Sequence, residues 1–74
     1  MSTTTKVERA LALIDQALAQ GPVQGRDAFL DAVIAKWEYK YDRFIATDGE
    51  SDREATASDY VELLGALAAR RAAQ

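Results

Sequence analysis

The chain has no cysteine and no histidine, a single proline and a single tryptophan. Without cysteine there are no disulfides and no thiolate chemistry. Without histidine, zinc sites, serine-type triads and imidazole bases lose their usual residue. The one metal option left is an all-oxygen site for a hard cation. No apolar run approaches the roughly 20 residues of a membrane-spanning helix. The opening stretch MSTTTKVERALALIDQALAQ lacks the basic start, continuous apolar centre and small-residue cleavage site of a secretory leader. The expectation is a soluble, cytoplasmic protein that is not secreted.

What is present is ordinary in amount and uneven in arrangement. The chain is 74 residues long and 49% hydrophobic, enough for one small domain and too apolar for a disordered chain. A chain this short buries a modest fraction of its surface, so a partner or a second copy would add to its stability. The net charge is −3. Residues 1–25 balance to zero, and so do residues 26–47. Over residues 48–59, Asp48, Glu50, Asp52, Glu54 and Asp59 stand against Arg53 alone, which gives −4. The last residues return +1 through Arg70 and Arg71 against Glu62. The acidic surplus therefore sits in one short stretch.

Apolar spacing predicts three helices. Val7, Leu11, Ile14 and Leu18 recur at four, three and four residues, one stripe of a helix over 5–19. Thr5 with Glu8 has the form of a capping box, and Gly21-Pro22 ends the helix. Leu30, Ile34, Trp37, Tyr41 and Phe44 make the stripe of a second helix over 27–46, broadened by Val33 and Ile45. A third helix over 57–72 carries Tyr60, Leu64, Leu67 and Arg71, widened by Val61, Leu63 and Ala68. Two capping boxes compete to start it, SDRE at 51–54 and TASD at 56–59. Residues 48–56 form an acidic linker. Three amphipathic helices with short connections predict an all-α, antiparallel three-helix bundle in a single domain over 1–74. The alternative is a helical hairpin whose third helix completes a homodimer.

The segment KWEYKYDR at 36–43 has aromatics at every second position, which on its own reads as a strand. The longer window decides for a helix. At about 100° per residue, Trp37 and Tyr41 fall on the apolar stripe and Tyr39 falls outside it. The same rotation lines up Lys36, Lys40 and Arg43 at spacings of four and three, with Tyr39 beside them and Phe29 near the other edge. Arg and Tyr are frequent anchors of protein interfaces, so Lys36, Tyr39, Lys40 and Arg43 are the first candidate partner-binding surface. The bland alternative is a solvated helix face.

The second candidate surface is the acidic linker, with Asp48, Glu50 and Asp52 at alternate positions. It lacks the glycine at position six and the glutamate at position twelve of a helix–loop–helix calcium site, so no metal is assigned. The expectation is a small, acidic, non-enzymatic helical protein without a cofactor. It would bind a larger protein or nucleoprotein complex and modulate or inhibit it. Small stand-alone proteins of this kind are common among phage and mobile-element inhibitors. The competing expectations are a nucleic-acid-binding module and a structural homo-oligomer. Three cations on a net-acidic chain are too few to hold a nucleic-acid backbone by themselves.

Overall fold

The computed structural model describes residues 5–73, and among these every regular element is helical. Helix α1 spans Lys6–Ala19, α2 Arg26–Ala46 and α3 Ala57–Ala72. The three-helix bundle expected from the sequence is what forms, with α3 packed against both other helices.

Local chemistry sets the helix ends. The Thr5 hydroxyl accepts from the Glu8 amide at 3.1 Å, and Glu8 accepts from the Thr5 amide, a complete capping box. Of the two candidate starts for α3, TASD is used. Thr56 and Asp59 cap each other at 3.2 and 3.0 Å. Helix α2 ends in a Schellman motif, with Asp48 in the left-handed region (φ 54°). The Gly49 amide returns to the Phe44 carbonyl at 2.8 Å, and the Asp48 amide to the Ile45 carbonyl at 3.1 Å. The last carbonyls of α3 also find a partner, because the Arg26 guanidinium donates to the carbonyls of Arg70 and Ala73. Cations at a helix C-terminus also complement its dipole.

The core is built from Val7 and Ile14 of α1, Leu30 of α2, and Leu63 and Leu67 of α3. Leu30 and Leu67 are fully enclosed. Ala10, Leu11, Leu18, Phe29, Val33, Ile34 and Trp37 pack around this centre. Three corrections to the sequence reading follow. The α3 stripe is rotated by one position, because α1 packs on the Leu63 side; Leu63 is buried and Leu64 only half-buried. Phe29 joins the core instead of edging the polar stripe. Ile45 and Val61, expected to broaden the core, are 56% and 58% exposed. With only three helices, each apolar stripe is covered on one narrow face, and its flanks stay in water.

A second cluster closes the far end of the α2–α3 contact. The ring of Tyr60 lies 5.0 Å from Phe44, 5.6 Å from Tyr41 and 6.1 Å from Trp37, all tilted. These centroid distances lie in the range where aromatic pairs attract, and none of the pairs is a face-to-face sandwich.

Candidate functional site

Unequal helix lengths create the site. Helix α2 has 21 residues and α1 has 14, a difference of about 10 Å at the helical rise. Val7 at the start of α1 meets the neighbourhood of Trp37, midway along α2. The rest of α2 is flanked by the linker, which leaves an open groove of about 610 Å³. Lys36, Tyr39, Lys40 and Arg43 line it from α2, joined by Trp37, by Lys6 of α1, by Ser51 and Asp52 of the linker, and by Tyr60 of α3. All four α2 residues singled out from the sequence therefore meet at one depression.

The charges around the groove are unbalanced. Four cations and one carboxylate line it, a local surplus of three positive charges. The chain as a whole carries −3, so the remaining surface carries −6. Among the described residues outside the groove, every cation but Arg9 is paired. Arg70 binds Asp15 at 2.8 Å, Arg71 binds Asp31 at 2.8 Å, Arg53 binds Glu50 at 2.8 Å and Arg26 binds Asp27 at 2.7 Å. Lys36, Lys40 and Arg43 have no carboxylate within 4.0 Å among the described residues. Glu38 and Asp42 share their helix but point to a different sector. Lys40 lies over the indole of Trp37, 4.7 Å from the ring centroid, which orients its ammonium at the groove. Tyr39 is 63% exposed.

The three candidate carboxylates of the linker separate in role. Asp52 turns inward and accepts both available contacts from Lys6, at 2.7 and 2.9 Å. It also accepts from the Tyr60 hydroxyl at 3.4 Å and the Glu54 amide at 3.3 Å. Glu50 is engaged by Arg53. Asp48 is exposed and has no cation within 4.0 Å among the described residues. The linker is thus a tethered wall of the groove, with Glu50 and Asp52 of its four carboxylates engaged internally. Among the described residues no three acidic side chains converge as a metal site, and no helix is long and apolar enough to cross a membrane.

The Lys6 hydrogen bond holds the Asp52 carboxyl below its ordinary range, against the opposing effect of burial. Arg70 does the same for Asp15. A lowered carboxylate stabilises the fold above the unfolded value of about 4, and that contribution is lost as pH falls through the folded value. The opposite limb involves Lys6, raised mainly by its bond to Asp52, and Tyr60, raised first by burial and then by Asp52. Both contributions are present below about pH 10 and are lost above it. Unfolding midpoints in urea are therefore expected to fall below about pH 4. Asp52→Asn should flatten that acid limb and lower stability at neutral pH by about 0.2–1 kcal/mol, since Lys6 is half exposed and the pair is screened by water. An acid limb unchanged in Asp52→Asn would show that this bridge is not formed in solution.

Lys6, Ser51, Trp37 and Tyr60 were not read from the sequence as part of the site. Lys6 and Tyr60 reach it only through tertiary packing, which no local pattern encodes. The Trp37–Lys40 contact has a local signal, because residues three apart share a helix face. Compared with protein-family models, curated proteins and solved structures, the chain has no match.

Proposed function

We propose that this chain is a non-catalytic, cytoplasmic binding module that docks on a larger protein through the cationic groove and modulates or inhibits it. One observation carries the reading. Three cations without carboxylate partners and an exposed tyrosine gather in one depression, on a protein that pairs most of its other cations. Unpaired like charges on one face repel each other, so an anionic partner relieves a strain that the fold itself leaves in place. Arg and Tyr are also the side chains that most often anchor protein interfaces. The chain brings neither histidine nor cysteine to a reaction, and the groove is open to water, which does not favour acid–base chemistry by its carboxylates.

The test uses the intact chain, tagged, in nuclease-treated lysate of the native host, beside the variant Lys40→Glu/Arg43→Glu. A discrete protein is expected on the wild-type chain, with its affinity for the variant lower by about tenfold or more. The variant should keep its helical circular dichroism, because both side chains are exposed. Equal retention by a folded variant rules out this face. Capture that disappears with the nuclease points to nucleic acid instead.

A further inference from the structure

We infer that the groove recognises an extended acidic peptide with carboxylates at alternate positions, an Asp/Glu-x-Asp/Glu segment of the partner. The inference rests on the reading of the groove as a protein-docking site and specifies the chemistry of what enters it.

The spacing of the cations carries it. Lys36 and Lys40 are four residues apart on one helix, an axial separation of about 6 Å. Alternate side chains of an extended peptide point the same way and repeat at about 6.6–6.8 Å. The two periods differ by less than a lysine side chain can absorb. Arg43 adds a third cation about 4.5 Å further along, where its forked guanidinium grips a carboxylate with two hydrogen bonds. A strand laid along α2 would thus set one carboxylate on Lys36, the next on Lys40 and Arg43, and the side chain between them toward water. The nearby Lys6 is already taken by Asp52 and does not compete. Lys40 is held over Trp37 before any ligand arrives, so less freedom is lost on binding.

The surroundings argue for a short acidic peptide over a nucleic acid. Among the described residues Asp52 is the only carboxylate lining the groove, and the three free cations from Lys36 to Arg43 span only about 10 Å of helix. A polyanion longer than this stripe leaves its further charges without a partner in the groove. A peptide whose charge is confined to a few residues meets only the cations. The groove also holds too few cations for the counterion release that drives backbone binding.

Trp37 is the single tryptophan and lines the groove, so its emission reports binding in the unmodified chain. Four probes are titrated at low ionic strength. They are a short capped peptide alternating glutamate and alanine, its glutamine counterpart, a peptide of the same composition with the glutamates adjacent, and a short single-stranded oligonucleotide. The alternating peptide is expected to bind about tenfold tighter than the glutamine form and about fivefold tighter than the clustered form. Its affinity should drop several-fold at about 0.15 M salt, and Lys36→Glu/Lys40→Glu should abolish it while the helical signal persists. Equal affinity of the two acidic peptides overturns the alternate-position pattern. If no acidic peptide binds, yet Lys40→Glu/Arg43→Glu still costs capture of the host protein, this inference fails and the docking reading stands. An oligonucleotide that binds tighter than every peptide defeats both.

Discussion

Replacing Leu67 with alanine is expected to lower the free energy of unfolding by about 3 kcal/mol. Leu67 is fully enclosed, on the one helix that packs against both others. Its loss removes the transfer free energy of the side chain and leaves a cavity that α1, α2 and α3 would have to shift together to fill. A chain of this length has roughly 4–11 kcal/mol of stability in total, so the change removes a large share of it. The thermal midpoint should fall by about 12–24 °C, at roughly 4–8 °C per kcal/mol for a domain of this size. Leu13→Ala is the control, since Leu13 is 67% exposed and its truncation should stay within about 0.5 kcal/mol. Thermal melts of the two variants that coincide would mean the core is not where the packing places it.

Tyr60→Ala is expected to cost about 3–5 kcal/mol, the range for truncating a buried aromatic. Tyr60 is 5% exposed and contacts three other rings, all from α2. Its removal unseats Phe44 and Tyr41 from the end of α3 and strips one wall from the groove. Tyr60→Phe separates the ring from the hydroxyl. It keeps the tilted ring contacts and loses only a long hydrogen bond to Asp52, at about 0.5–1 kcal/mol. Chemical denaturation followed through Trp37 distinguishes them. Should the alanine and phenylalanine variants prove equally stable, the aromatic cluster does not hold the α2–α3 end.

Much of this architecture is legible in the chain because helices announce themselves locally. The four-three spacing from Leu30 to Phe44 places α2, and Thr5-Glu8 and Thr56-Asp59 mark where α1 and α3 begin. The choice between SDRE and TASD was not legible, because both have capping form and the linker's tertiary bond to Lys6 involves Asp52. The one-position rotation of the α3 stripe was hidden for a similar reason. Leu63 and Leu64 are equivalent until α1 arrives on one side. In the site, periodicity alone brings Lys36, Tyr39, Lys40 and Arg43 to one sector. That they border a depression depends on α1 being shorter than α2 and on the course of the linker, both of which require the assembled bundle.

The ion pairs between elements stand at the two ends of the molecule. Lys6 with Asp52 marks one end. At the other, Asp15 meets Arg70, while Asp27 and Asp31 meet Arg71. Leucine and alanine faces tolerate sliding, and a bundle displaced by one helical turn, about 5.4 Å, would re-form much of its oily contact. The same slip would part every one of these opposite charges at once. They act as the graduations of a ruler, selecting one vertical alignment among several that greasy surfaces alone would accept.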